Sequence, residues 1–241
     1  MLKKKLQSNN SVQKLGADLD FSSVEAYNLL RTNLSFAFPG KTNGKIIGVT
    51  SSSPSEGKSF TSINLAYSLA KDGKKVLLID SDMRKPSIAE KLHIQFAPGL
   101  SNMLADRENI NIQKAVLHKN MSVLTAGDVP PNPSELIGSE EMHNDLANFA
   151  EEYDYILVDL PPVMEVSDPL IMAKHLDGVI MVVLHDHSYR SDIKEAVRKL
   201  QFTDVRILGF VYNGYSSGAK YGYKKYAKHY YKQYQKGDFS N

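Results

Sequence analysis

The chain has 241 residues, of which 42% are hydrophobic and 23% charged, a balance that allows a sizeable core and excludes a largely disordered protein. Its 29 Lys and Arg against 27 Asp and Glu give a net charge of +2, too small to indicate nucleic-acid binding by itself. There is no cysteine, which excludes disulfides, thiolate metal sites and cysteine nucleophiles. No apolar run approaches the roughly 18 residues of a membrane span, so we expect one large cytoplasmic domain.

The N-terminal part predicts an arm followed by a helix. Residues 1–20 are polar and begin with several lysines, which favours a mobile arm over the alternative of an ordered docking segment. Ser22 or Ser23 is expected to cap a helix with an apolar stripe, and Pro39-Gly40 is expected to end it.

From residue 45 to residue 212, short apolar runs alternate with amphipathic stretches. The six runs, each predicted to be a strand, are residues 46–49, 76–79, 123–125, 156–158, 179–184 and 207–211. They are continuously apolar, as strands buried on both faces should be, and most are separated by segments long enough for crossover helices. The prediction is an α/β fold with a doubly wound, mostly parallel sheet flanked by helices over residues 21–214. Residues 215–241 lack apolar periodicity and predict a flexible tail.

The first predicted strand leads into a loop of small residues that ends in Gly-Lys-Ser before a helical stretch. This order is typical of a phosphate-binding loop, so the fold is expected to be P-loop NTPase-like. Backbone N–H groups face the phosphates, Lys58 adds a cation, and the Ser59 hydroxyl is a ligand for Mg²⁺. The first glycine of the usual motif is Ser52 here, and a chance Gly-Lys-Ser is the alternative. The predicted nucleotide contacts are Ser53, Pro54, Ser55, Glu56, Gly57, Lys58, Ser59 and Phe60.

Carboxylates follow two of the predicted strands. Asp80 and Asp82 come after the second strand, and Asp159 comes after the fourth. Because ligands of open α/β sheets bind beyond the carboxyl ends of the strands, the three aspartates are expected to converge on the phosphates. Three carboxylates at that place indicate that a cation binds there. Mg²⁺ prefers oxygen ligands, and one carboxylate can orient or deprotonate an attacking hydroxyl. Each aspartate alone is better explained as a helix cap or turn residue. The three together, with Lys58 and Ser59, favour the functional interpretation.

Four stretches of the chain resemble the deviant Walker ATPases related to chromosome-partition and cell-division-site proteins. Within that group the chain most resembles the bacterial tyrosine kinases of Gram-positive capsule and exopolysaccharide operons. The resemblance covers about residues 22–234 and is carried by residues 25–34, 50–59, 77–86 and 131–136. It implies an ATP- and Mg²⁺-dependent protein-tyrosine kinase in which Lys58 serves the phosphates. Asp80 would be the catalytic or positioning acid, while Asp82 and Asp159 would serve Mg²⁺ together with Ser59.

The resemblance also assigns roles outside the loop. Asn213 matches the position that contacts adenine in this group, although a turn with Gly214 explains it equally well. Glu25 and Arg31 match a helix pattern used for ring assembly, whose middle basic position is Asn28 here. These two residues are therefore predicted oligomer contacts. Within the phosphate-binding loop, partition ATPases carry a signature lysine at the position of Ser53. Its absence here disfavours the partition interpretation.

Eight of the 13 tyrosines lie between residues 212 and 234. A segment without apolar periodicity has no folding reason to collect phenols, which favours phosphoacceptance. The predicted acceptors are Tyr215, Tyr221, Tyr223, Tyr226, Tyr230, Tyr231 and Tyr234. A tail from a neighbouring subunit can place a hydroxyl in line with the γ-phosphate. Interleaved lysines support an alternative, binding of single-stranded nucleic acid or an acidic surface; given the nucleotide site, no nucleic acid is expected.

The favoured hypothesis divides the chain into a polar arm (residues 1–20), a P-loop kinase domain (residues 21–214) and a tyrosine-rich tail (residues 215–241). The kinase would autophosphorylate its tail between subunits and regulate capsular or exopolysaccharide biosynthesis. The partners that the resemblance implies are further copies of the chain, a tyrosine phosphatase, and a membrane-embedded activator or polysaccharide co-polymerase. That activator would recruit the cytoplasmic kinase to the inner face of the plasma membrane. The alternatives are a partition-type switch ATPase and a non-enzymatic nucleotide-sensing scaffold.

Overall fold

A six-stranded parallel sheet organises the chain. The computed structural model describes residues 14–106 and 110–214. The strands are β1 (Lys45–Ser51), β2 (Val76–Asp80), β3 (Met121–Leu124), β4 (Tyr155–Asp159), β5 (Gly178–Leu184) and β6 (Ile207–Asn213). All neighbouring strands pair in parallel, in the order β3-β2-β4-β1-β5-β6. The predicted doubly wound α/β fold is confirmed, and a strand lies at each of the six predicted apolar runs.

Helices cover both faces of the sheet. They are α1 (Phe21–Ala37), α2 (Lys58–Lys71), α3 (Ile88–Leu92), α4 (Leu100–Ala105), α5 (Pro133–Gly138), α6 (Glu140–Glu152), α7 (Asp168–Met172) and α8 (Arg190–Gln201). The first three pack on one face and the last five on the other. Consecutive strand residues such as Leu77 and Leu78 are therefore both buried, on opposite sides. Within the described ranges, no helix combines the length and the apolarity needed to cross a bilayer.

Helix α1 is capped by Asp20, which corrects the expectation of a serine cap. The Asp20 carboxylate accepts the Ser23 N–H at 3.0 Å and the Ser22 hydroxyl at 2.6 Å. Aspartate caps helices as well as serine does, and its charge is favourable at the positive end of the helix. The hydrogen bond from Ser22 is the largest cause of a lowered pKa of Asp20. The two serines thus act as donors to the cap.

The end of the predicted arm lies against the domain. Gly16 adopts φ +59° and its N–H donates to the Asn64 side chain of α2 at 2.9 Å. Leu15 and Leu19 pack against the core formed by the sheet with α1 and α2. A backbone donor and two isolated leucines give no periodic signal, which is why the sequence assigned residues 14–20 to the arm. The mobility predicted for residues 1–13 concerns a segment outside the described residues.

The order of the strands brings three of the predicted functional segments to one edge of the sheet. β4 lies between β1 and β2, and the Cα atoms of Asp80 and Asp159 are paired in register. The loop after β1 therefore opens beside the carboxyl ends of β2 and β4. This is the place where open α/β sheets bind their ligands.

Candidate nucleotide-binding site

The loop between β1 and α2 has the backbone geometry of an anion site. Gly57 adopts φ +93°, and a Cβ atom there would lie 2.0 Å from the Asn213 side-chain nitrogen, so only glycine fits. Helix α2 begins at the next residue, Lys58. Its first N–H groups have no partner within the helix and point out of its N-terminal end, where the helix dipole also favours an anion.

A cavity of about 390 Å³ opens beside this loop. Six of the eight predicted loop contacts line it, namely Pro54, Ser55, Gly57, Lys58, Ser59 and Phe60. Among the described residues, the lining carries the positive side chains Lys58, Arg84, Lys85 and Lys91 against the two acids Asp82 and Glu165. An excess of positively charged side chains in a concave site favours a polyanionic ligand such as a nucleoside triphosphate.

Ser53 and Glu56 are absent from the lining of this cavity, although the sequence predicted them to contact the nucleotide. The Ser53 N–H donates to the Glu56 carboxylate at 3.1 Å, and the Glu56 side chain is buried inside the loop. The sequence pattern gives the positions of a phosphate-binding loop, but it does not tell which side chains turn inward.

Asp82 is the one predicted aspartate that lines the cavity. It is 8% exposed, and one of its carboxylate oxygens accepts the Lys85 N–H at 3.0 Å. Burial raises the pKa of Asp82, while the hydrogen bond from Lys85 and the charge of Lys58 oppose the shift. The carboxylate is therefore placed to meet a cation or a hydroxyl in the cavity.

Asp80 is buried beneath the cavity and holds a loop. Its carboxylate accepts the backbone N–H groups of Asp82 at 3.2 Å, Ser87 at 3.1 Å and Ile88 at 3.0 Å. Burial raises its pKa to about 8, and the nearby charge of Asp159 adds to the shift. These contacts fix the turn that brings Asp82 and Ser87 to the cavity. The role of catalytic or positioning acid stays a prediction for Asp80, and its contacts here are those of a positioning residue.

Asp159 is buried next to the start of α2. One carboxylate oxygen accepts the Ser62 hydroxyl at 2.9 Å, and the other, Oδ2, has no hydrogen-bond partner among the described residues. Burial raises its pKa to about 6, opposed mainly by the charge of Lys58. A buried carboxylate oxygen without a donor is costly, and a cation or its bound water would satisfy it.

The donors at this edge of the sheet fit Mg²⁺. The Ser59 hydroxyl lines the cavity together with Asp82 and accepts a hydrogen bond from the Ser87 hydroxyl at 2.9 Å. Over residues 14–106 and 110–214, no three His, Asp or Glu side chains lie close enough to hold an ion by themselves. Mg²⁺ usually takes one or two carboxylates and completes its shell with phosphate oxygens and water. Ser59, Asp82 and the unpartnered oxygen of Asp159 are suitable ligands for an ion that arrives with a nucleotide.

Arg84 takes part in a contact that the sequence analysis missed. Its guanidinium donates to both carboxylate oxygens of Asp168 at 2.9 and 3.2 Å and to the Ser134 hydroxyl at 3.0 Å. Ser134 in turn donates to Asp168 at 2.6 Å. Asp168 is fully buried, so the pair ties the loop after β2 to α5 and α7. Arg84 lies in the stretch 77–86 and Ser134 in the stretch 131–136, which both carry part of the resemblance, but no sequence signal pointed to Asp168.

Asn213 connects the end of β6 to the phosphate-binding loop. Its side-chain nitrogen donates to the Glu56 carbonyl oxygen at 3.1 Å, and its side-chain oxygen accepts the Gly214 N–H at 2.9 Å. The second bond, with φ +69° at Gly214, agrees with the turn interpretation. Asn213 is not part of the cavity lining, and contact with adenine stays a prediction.

The predicted oligomer contacts make bonds within the chain. Glu25 accepts the Asn28 side-chain amide at 3.0 Å. Arg31 donates to the Ser68 carbonyl oxygen of α2 at 3.0 Å and lies 3.5 Å from the Asp72 carboxylate. A role between subunits stays a prediction for both. The seven predicted acceptor tyrosines, from residue 215 to residue 234, lie outside the described residues.

Comparison with known proteins adds a consistent set of relatives. Residues 44–203 match the family model described as an AAA domain. The chain is 35% identical over 201 residues to the tyrosine-protein kinase YwqD of Bacillus subtilis, covering 82% of this chain and 84% of that protein. It is 36% identical over 214 residues to the putative tyrosine-protein kinase EpsB of Ralstonia solanacearum, covering 84% of this chain. The chain spans only 28% of the length of that second relative.

Solved structures show the same likeness. The kinase domain of Escherichia coli tyrosine kinase ETK superposes with a TM-score of 0.74 at 32% identity, covering 84% of this chain and 81% of that one. The septum site-determining protein MinD of Pyrococcus horikoshii, solved with Mg-ADP, gives a TM-score of 0.59 at 22% identity and covers 72% of each chain. At that identity the second likeness shows the fold alone.

Proposed function

The chain belongs to the bacterial tyrosine-protein kinases, and we propose that it transfers the γ-phosphoryl group of ATP to tyrosine hydroxyls in the cavity beside the β1–α2 loop. The observation that carries the proposal is that Lys58, at the start of α2, lies close to the carboxylates of Asp82 and the buried Asp159. Membership of a kinase family supports tyrosine as the acceptor. The seven tail tyrosines are the acceptors that we propose first.

The residues of the site supply position and charge. Phosphoryl transfer passes through a loose transition state whose charge spreads over the phosphate oxygens, so preorganised donors and cations do most of the work. The loop N–H groups and Lys58 hold the phosphates, and bound Mg²⁺ would neutralise charge on the phosphate oxygens. Asp82 is the aspartate that can meet the ion or the acceptor hydroxyl, because it lines the cavity. Asp80 contributes by holding the backbone of Asp82 and Ser87.

The first experiment incubates the purified full chain with γ-labelled ATP and Mg²⁺ and locates the label by mass spectrometry. We expect phosphotyrosine between residues 215 and 234, and none in a Lys58→Met variant. Phosphate release without any labelled tyrosine, even with a membrane activator present, would contradict the kinase proposal and favour a switch ATPase. Neither activity would favour a nucleotide-sensing scaffold.

A mixing experiment tests transfer between subunits. Lys58→Met keeps the tail but lacks the phosphate-binding lysine, whereas a chain ending at residue 214 keeps the site but lacks the tail. We propose that the truncated chain labels the Lys58→Met protein when the two are mixed. Label that appears in full-length wild-type protein but never in this mixture would exclude transfer in trans.

The cellular role is the part of the proposal that rests on the resemblance to capsule and exopolysaccharide kinases. We propose that the chain forms a homo-oligomer through Glu25 and Arg31 and is recruited to the membrane by an embedded activator. A tyrosine phosphatase would reverse the modification. Size-exclusion chromatography of a Glu25→Ala, Arg31→Ala variant tests the assembly, and assays with and without a cytoplasmic fragment of the activator test the dependence on it.

A further inference from the structure

A carboxylate is buried inside the phosphate-binding loop. Glu56 directly precedes Gly57, yet its side chain is 0% exposed and does not line the cavity. A negative charge in this position is unfavourable for a loop that binds phosphate, and burying any carboxylate is costly unless donors surround it. The contacts of Glu56 therefore indicate what the loop gains from it.

Three donors converge on the Glu56 carboxylate. The Ser52 hydroxyl donates to its two oxygens at 3.0 and 3.2 Å, and the Ser53 N–H donates at 3.1 Å. The third donor is the hydroxyl of Ser188, which lies 132 positions further along the chain, between β5 and α8. Ser52 occupies the position of the missing first glycine, so the serine and the glutamate together set the shape of this part of the loop.

The contact with Ser188 is directional and is anchored in the sheet. The Ser188 hydroxyl oxygen accepts the Leu184 N–H at 2.8 Å, and its proton is donated to Glu56. Leu184 is the last residue of β5. The Glu56 carbonyl oxygen also accepts the Asn213 side chain at 3.1 Å, which attaches the same residue to the end of β6. The loop is thus held to two neighbouring strand ends through one residue.

We propose that Ser188 is a positioning residue for nucleotide binding, which acts through Glu56 to hold the phosphate-binding loop in its binding-competent shape. The proposal rests on the nucleotide site proposed above and adds a residue that does not line the cavity. A loop that is already ordered does not have to be ordered by the ligand, so affinity improves without a new contact to it. If the contact is lost, the loop populates other shapes, and the apparent dissociation constant rises in inverse proportion to the competent fraction.

The test measures ADP binding to the full chain by titration calorimetry, with Mg²⁺ and without any acceptor. Removing a hydrogen bond to a charged group predicts that Ser188→Ala weakens binding about 10-fold, or about 1.4 kcal/mol. Ser188→Thr, which keeps the hydroxyl, should restore most of the affinity. Ser191→Ala is the matched control, because Ser191 is exposed and, among the described residues, its hydroxyl donates only to its neighbour Asp192, at 2.9 Å. It should bind ADP as the wild type does.

A second variant separates positioning from a general loss of stability. Combining Glu56→Ala with Ser188→Ala should weaken ADP binding no further than Glu56→Ala alone, because Glu56→Ala already removes the carboxylate to which Ser188 donates. In kinase assays Ser188→Ala should raise KM for ATP and leave kcat within about twofold, since the contact precedes the chemical step. Should Ser188→Ala fail to fold, Ser188→Cys keeps the size of the side chain and weakens its donor, and the same loss of affinity is expected.

The proposal is overturned if folded Ser188→Ala binds ADP as tightly as the wild type, or if the two substitutions weaken binding additively. These outcomes do not depend on kinase activity. A chain that binds ADP as predicted but labels no tyrosine would contradict the proposed function and leave this inference standing.

Discussion

Replacing Arg84 with alanine should destabilise the protein more than replacing its partner Asp168, although each substitution removes the same ion pair. Asp168 is fully buried, whereas the Arg84 side chain is 41% exposed. Arg84→Ala leaves a buried carboxylate whose remaining donor among the described residues is the Ser134 hydroxyl. Asp168→Ala leaves a guanidinium that water can reach.

The burial of the two partners sets the magnitudes. Removing one partner of a buried ion pair so that the other charge stays buried and unpaired costs about 3 to 5 kcal/mol. For Arg84→Ala the hydrogen bond from Ser134 to Asp168 favours the lower end of that range. Asp168→Ala removes the charged hydrogen bonds to Arg84, but water can hydrate the exposed guanidinium in their place. The expected loss of unfolding free energy is therefore only about 1 to 2 kcal/mol. For a chain of this length, 3 kcal/mol corresponds to a decrease of about 6 to 12 °C in Tm.

Urea unfolding followed by circular dichroism measures both free energies, and the double variant provides the decisive comparison. Arg84→Ala, Asp168→Ala should be more stable than Arg84→Ala alone, because the second change removes the stranded charge. An exposed pair within α8, Arg198 with Glu195 at 3.8 Å, is the control, and alanine at Arg198 should cost less than about 1 kcal/mol. If Arg84→Ala costs no more than Asp168→Ala, or if the two costs add, the assigned role of burial is wrong.

Three further changes test other parts of the structure. Gly57→Ala should abolish ADP binding in a titration, because a Cβ atom at φ +93° would lie 2.0 Å from the Asn213 side chain; a variant that binds normally would contradict the loop geometry. Asp20→Ala should lower the free energy of unfolding by about 1 kcal/mol through loss of the α1 cap, and Asp20→Ser should recover most of it. Burial, Lys174 and His143 lower the pKa of His175 to about 4 from its usual 6.5. As pH falls, His175 is therefore protonated in the unfolded chain before it is protonated in the folded one, which destabilises the fold between pH 6.5 and pH 4. His175→Gln should lessen the loss of Tm over this range. An unchanged pH profile of Tm would contradict the lowered pKa.

The sequence predicted the fold because its signal is carried by whole segments. Each apolar run stays apolar at consecutive positions, as at Leu77 and Leu78, since helices cover both faces of the sheet. The position of the nucleotide site followed from the same pattern, because a glycine-lysine-serine run after a strand has few structural solutions. Six of the eight predicted loop contacts line the cavity for this reason.

Individual side chains were less predictable, because their direction depends on contacts between distant segments. Asp80 and Asp82 are two positions apart, yet one lies beneath the cavity and the other faces it. The contact of Arg84 was not predicted, since nothing near it in the sequence points to Asp168, 84 positions away. The cap of α1 was misplaced because aspartate and serine fit that position equally well.

Buried polar contacts hold the loops at the carboxyl edge of the sheet. In these loops the hydrogen bonds between neighbouring strands no longer order the chain. Asp80 holds the turn after β2, Arg84 ties that turn to α5 and α7, and Glu56 ties the phosphate-binding loop to the ends of β5 and β6. Such contacts are directional, so each one selects a single arrangement of its loop, which apolar packing would not do. Part of the entropic cost of ordering these loops is therefore met during folding and not during ligand binding. It follows that substitutions in the contacts around the cavity should weaken nucleotide affinity before they affect the rate of the chemical step.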